Sequence, residues 1–206
     1  MNKFNLIVPK NVRYISEWQE YNLNNFSYPH ILDKVLTGCG YTEYCLRNEQ
    51  DMILCSPRRM LLENKESQHQ GEVYYFRNDL EQIIEFDIAL DSKTGDKEAG
   101  KLTKKKEPIA DNSEIRTKIF RLKEEVKNYY LVSHSIGKPA KVIVTYDSFR
   151  YVRDALIELI GELRFLNEIQ VVVDEFQSIF IDAKFKSESE LELLHHLQDL
   201  QKVCLN

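Results

Sequence analysis

The sequence predicts an α/β protein with a mostly parallel β-sheet and helices on both of its faces. Apolar β runs alternate with helical patterns along most of the 206 residues, which is how a parallel sheet covered on both sides reads. The run Val171-Val172-Val173 is apolar without alternation, as a strand buried on both faces must be. A third sign is Gly38-Cys39-Gly40, a turn between a strand and a helix where glycine frees the backbone for positive φ and close approach.

The elements follow in order. Residues 12–26 read as an N-terminal helix around Ile15, Trp18 and Leu23, and Ile31-Leu32-Asp33-Lys34-Val35-Leu36 as the first strand. A short helix is expected over 42–48 and the second strand over 51–55. Residues 58–68, with Met60, Leu61 and Leu62 ahead of Glu and Lys, predict a helix that leaves Lys65 exposed, and Val73-Tyr74-Tyr75-Phe76 a third strand. A helix over Asp79–Leu90 leads into a polar tract, 91–113, with Gly95, Gly100 and Lys104-Lys105-Lys106. That composition buries too little surface to fix its backbone, so a mobile loop is expected. Its lysines could track a nucleic acid, although a solvated charge run is the plainer reading. A long helix follows from Glu114 to about Ser135, then a strand over 141–146, a helix from Ser148 to Leu163 and the acidic strand over 169–174. A last helix is expected from Ser187 to Val203, with Ser187 and Glu190 as a capping box. Neither repeats nor a second domain emerge.

The chemistry concentrates in two segments. Asp174-Glu175 closes an apolar strand at the carboxyl end, where open α/β sheets place ligands. The first acid would hold magnesium, which prefers oxygen ligands and keeps several waters; the second would orient and deprotonate an attacking water. Upstream, residues 35–42 match the phosphate-binding pattern G-x-x-x-x-G-K-[ST] in part. Gly40 and Thr42 stand at the second glycine and the hydroxyl, whereas Val35 replaces the first glycine and Tyr41 the lysine. Backbone N–H groups of Gly38, Cys39, Gly40 and Tyr41 would cradle phosphates, and Thr42 would share the magnesium with Asp174. Lys34, at the end of the first strand, is the candidate to reach back in place of the missing lysine; a surface lysine without a ligand is the plainer reading. A tight turn alone is likewise the plainer reading of Gly38-Cys39-Gly40.

With both segments in hand, the chain resembles the first RecA-like domain of a superfamily 2 helicase or translocase of the DEAD/DEAH type, a P-loop NTPase fold, here with a degenerate Walker A motif. Met52-Ile53-Leu54-Cys55-Ser56-Pro57-Arg58-Arg59 is similar to the family's second strand and motif Ia, which touches the nucleic-acid backbone. Val142-Ile143-Val144-Thr145-Tyr146-Asp147-Ser148-Phe149 looks like the strand and T-Y-x-S turn ahead of the acidic motif. Val173-Asp174-Glu175-Phe176-Gln177 resembles motif II, with Phe-Gln at its end. The resemblance implies an ATP-binding motor domain whose cofactors are ATP and Mg2+. It also implies a DNA or RNA partner met by Arg58 and Arg59, and, if this chain is a fragment, a second RecA-like domain in cis. A binding module without turnover, motivated by Tyr41, and an assembly protein that kept only the sheet are the other classes left open.

Composition sets limits. At 43% hydrophobic residues the chain can bury one core, and the absence of an apolar run near about 18 residues argues against a membrane span. A cytoplasmic protein is expected, since residues 1–9 lack a signal-peptide core. The net charge of −5 excludes coating of nucleic acid by bulk electrostatics, so local arginines must serve. Cys39, Cys45, Cys55 and Cys204 show neither zinc nor disulfide spacing. His195 and His196, adjacent on a helix, point about 100° apart and cannot share a metal. His30 and His134 have no ligand-spaced acid, and Tyr28-Pro29-His30 is expected to pack rather than stack on a base.

Overall fold

The structure, a computed structural model, describes residues 9–18, 30–31, 38–77, 113–176, 193, 195, 197 and 203–205, with the backbone alone for 30–31, 113–115 and 203–205. Lys34, the expected helix 79–90, the polar tract to residue 112 and the capping box Ser187/Glu190 lie outside the described residues.

Continuous apolar runs make the strands. β1 (His30–Ile31), β2 (Met52–Ser56), β3 (Tyr74–Phe76), β4 (Lys141–Thr145), β5 (Gln170–Val173) and β6 (Val203–Leu205) form one sheet in the order β1-β6-β5-β2-β4-β3. Every pairing is parallel. The central register sets Met52 against Lys141 and Gln170, so β2, β4 and β5 start level. β6 lies between β1 and β5, which puts those two strands about 9–10 Å apart.

Because side chains alternate across a strand, each central strand feeds two cores. Ile53, Cys55, Val142, Val144, Val171 and Val173 face one side. They are covered there by α3 (Ser113–Ser135), α4 (Phe149–Ile160) and α5 (Glu162–Glu168). Met52, Leu54, Ile143 and Val172 face the other, under α1 (Tyr41–Arg47) and α2 (Arg59–Gln68). Helices on both faces are thus present, as the unbroken Val/Ile runs required.

Several boundaries differ from the sequence reading. The described part of the expected helix 12–26 is one 3-10 turn, Ile15–Glu17, entered through an extended Tyr14 and left through an extended Trp18. Ile15 N–H donates to the Cys39 carbonyl at 2.8 Å, so this segment is tied to the Gly38–Gly40 loop rather than to its own next turn. The helix expected over 148–163 stops at Ile160 because Gly161 adopts φ 85°, ψ 152°, and α5 starts beyond it. Val203, expected to end a helix, instead opens β6, a sixth strand that the sequence reading missed. Leu193, His195 and Leu197 are helical, with both leucines buried in the first core.

Candidate functional site

The carboxyl ends of β2 and β5 and the start of α1 converge. Asp174 follows β5 directly, and its N–H donates to the Cys55 carbonyl at 2.8 Å, prolonging the ladder by one residue. The side chain, only 4% exposed, lies at the mouth of the sheet. From α1, Thr42 Oγ1 donates to Asp174 Oδ2 at 3.3 Å. The two residues assigned to magnesium on sequence grounds therefore meet, although 132 positions separate them.

Local backbone makes this approach possible. Gly40 caps α1 with φ 82°, a left-handed conformation. A Cβ there would stand 2.9 Å from Tyr14 Cβ and 3.0 Å from Ser16 Oγ. Only glycine lets the 14–16 segment press onto the loop while Thr42 turns toward the sheet. Tyr41 sits at the lysine's place but is 1% exposed, packed with Ile15, Leu46 and Leu54 in the second core. Its ring is committed to the core, so only its main chain can serve a phosphate.

Three further contacts shape the site. The buried Tyr146 hydroxyl donates to the Asp174 carbonyl oxygen, fixing the main chain that carries the acid. The sequence shows Tyr146 only as part of the T-Y-x-S turn, and the partner of its hydroxyl is set by tertiary packing. Glu175 takes φ 58° although it carries a side chain. Its Oε2 lies 2.9 Å from Arg58 Nε. The predicted base and a predicted nucleic-acid arginine are therefore paired. Arg59, next in line, is half-buried at the start of α2.

Glu43, one residue past Thr42, is clamped by Lys65 Nζ at 2.9 Å, His69 Nε2 at 3.0 Å and Arg47 Nε at 2.9 Å. Burial works to raise its pKa, yet the hydrogen bonds and charges of Lys65 and His69 outweigh it and hold the carboxyl at about 2. This ties α1 to α2 and corrects the expectation for Lys65, whose side chain is 18% exposed and engaged. At the opposite end of the strands, Asp51 receives His134 Nε2 at 2.9 Å and accepts from the Ala140 N–H at 2.8 Å. The acid that sequence spacing did not offer His134 thus comes from the residue just ahead of β2. Beside them, the Lys141 ammonium donates to Asn48 Oδ1 and the Gln50 carbonyl, and burial pushes its pKa down to about 8.

The donors at the mouth suit magnesium. Two oxygens in adjacent positions of an octahedral site with bonds of about 2.0–2.1 Å lie about 2.9 Å apart, close to the Thr42–Asp174 separation of 3.3 Å. Among the described residues no group of three or more His, Cys, Asp or Glu could hold a metal ion, and an ion that keeps several waters and phosphate oxygens does not need one. Cys39 and Cys55 are free thiols, and burial pushes the Cys55 thiol up. No helix among the described residues is long and apolar enough to cross a membrane. Comparison with known proteins returns no matching family, no similar curated protein and no similar solved structure.

Proposed function

We propose that the chain is the ATP-binding motor domain of a DNA or RNA helicase or translocase, of RecA-like P-loop organisation with an altered phosphate loop. The observation that carries this is the meeting of Thr42 Oγ1 and Asp174 Oδ2 at the carboxyl ends of parallel strands. In this reading the main chain of Gly38, Cys39, Gly40 and Tyr41 cradles the phosphates, and Thr42 and Asp174 hold the metal. Magnesium bound there would supply neutralisation of charge on the phosphoryl oxygens. Glu175 accepts the proton of the attacking water, and Tyr146 keeps Asp174 in place. Lys34 remains the candidate cation on sequence grounds. Arg58 and Arg59, at the turn into α2, are assigned to nucleic-acid phosphates. A second RecA-like domain in cis would close the cleft and convert hydrolysis into motion.

A second reading, a module that binds nucleotide or nucleic acid without turnover, is favoured by the burial of Tyr41 and by the engagement of Glu175 with Arg58. Calorimetric titration with Mg-ATP tests the nucleotide site common to both, and turnover stimulated by single-stranded nucleic acid separates them. Binding with stimulated turnover upholds the motor reading. Binding without turnover in the full-length protein leaves the module, and no Mg-ATP binding removes the motor reading and leaves only a module for nucleic acid.

A further inference from the structure

The Arg58–Glu175 pair joins two residues to which the proposed function gives separate tasks. The guanidinium side chain is 69% exposed and the carboxylate side chain 24%, so the arginine faces the solvent from which a polymer would arrive. The carboxylate, on the residue that follows Asp174, is the less exposed partner. Glu175 holds φ 58°, a conformation uncommon for a residue with a side chain that persists only when its surroundings impose it. The buried residues before it and the pair with Arg58 are such surroundings.

We propose that Arg58 is a latch on Glu175: without nucleic acid it holds the carboxylate, and a backbone phosphate that takes the guanidinium releases Glu175 for its work at the nucleotide. The inference rests on the motor reading above and adds the regulation of that site. Carboxylate and phosphate are alternative acceptors for the same guanidinium fork, so the two contacts compete. Coupling between binding events is reciprocal; whatever Glu175 takes from Arg58 is lost to the phosphate. Removing the charge of Glu175 must therefore tighten nucleic-acid binding, by about two- to fivefold for a partly exposed pair.

The test titrates a fluorescein-labelled oligothymidylate into the full chain and into Glu175→Gln, Arg58→Ala and the double variant, with a parallel Mg-ATP titration. Glu175→Gln should tighten oligonucleotide binding about two- to fivefold. Arg58→Ala should weaken it and lower the salt slope by about 0.7, and the double variant should bind like Arg58→Ala. An unchanged Glu175→Gln overturns the latch. So does a gain that persists without Arg58, which would be general relief of negative charge. A gain seen with Mg-ATP in place of the oligonucleotide overturns it too, because the guanidinium would then serve the nucleotide. Wild-type protein that binds Mg-ATP but no oligonucleotide refutes the latch alone; binding of neither removes the motor reading with it.

Discussion

Replacing Gly40 by alanine should be far costlier than the same change at the other left-handed glycines, because two separate penalties meet there. Gly40 has φ 82° and Gly71 φ 74°, and either position costs an L-residue about 1–2 kcal/mol in backbone strain. At Gly71 nothing lies within 4 Å of an added Cβ, whereas at Gly40 the new atom would stand 2.9 Å from Tyr14 Cβ. That neighbour cannot swing away, since Ile15 beside it is tied to the Cys39 carbonyl at 2.8 Å. Overpacking of this kind adds about 1–3 kcal/mol, for a total of about 2–5 kcal/mol at Gly40. Urea denaturation followed by circular dichroism reads the difference directly. With a slope near about 2 kcal/mol/M, Gly40→Ala should melt about 0.5–1.5 M below Gly71→Ala. Fluorescence of Trp18, the single tryptophan, should report the loosened 14–18 segment before global unfolding. Equal midpoints for the two variants would refute the packing of the N-terminal turn onto the loop.

Further perturbations bear on the acids and their supports. Asp174→Asn should weaken Mg-nucleotide binding while Glu175→Gln leaves it nearly intact and removes turnover, as measured by titration and steady-state kinetics of the full-length protein; equal, mild effects would undo the division of roles. Tyr146→Phe leaves the Asp174 carbonyl without its hydroxyl donor and should cost about 1–3 kcal/mol of stability together with Mg-nucleotide affinity, both absent if the hydroxyl is idle. Glu43, held at about 2 against an ordinary 4.5, contributes stability that is complete above pH 4.5 and lost as pH falls toward 2, about 1–2 kcal/mol after solvent screening. Glu43→Gln should flatten that limb of the acid-denaturation curve. Lys141 behaves oppositely: its folded pKa of about 8 lies below the ordinary 10.5, so the folded state binds fewer protons between those values. Wild type should therefore gain stability over Lys141→Met as pH rises from 8 to 10.5, read as a rise in urea midpoint, and an unchanged difference across that range would show that Lys141 titrates normally.

The strands were legible because burial on both faces favours unbroken apolar runs, as in Met52–Cys55 and Val171–Val173. The pairing of Thr42 with Asp174 was legible because the acidic motif sits at the end of such a strand, where topology brings loops together. Contacts set by tertiary packing were not. Nothing in the sequence says that Tyr41 turns into the core, or that Lys65 reaches Glu43 on the neighbouring helix. The Arg58–Glu175 pair spans two loops that only the parallel register of β2 and β5 aligns. Gly161 broke a helix whose apolar spacing continues past it, and Val203–Leu205 is too short to show a period.

The central claim is that Thr42 and Asp174 together hold a magnesium-nucleotide. A double-mutant cycle tests it most directly, with Mg-ATP affinity measured by calorimetry for wild type, Thr42→Val, Asp174→Asn and the double variant. The proposed site predicts wild-type binding that requires magnesium and a loss of about tenfold or more, near 1.4 kcal/mol, in each single variant. The double variant should lose clearly less than the sum, since the oxygens 3.3 Å apart serve one ion. Affinity that is equal in all four proteins, or losses that simply add, would contradict it.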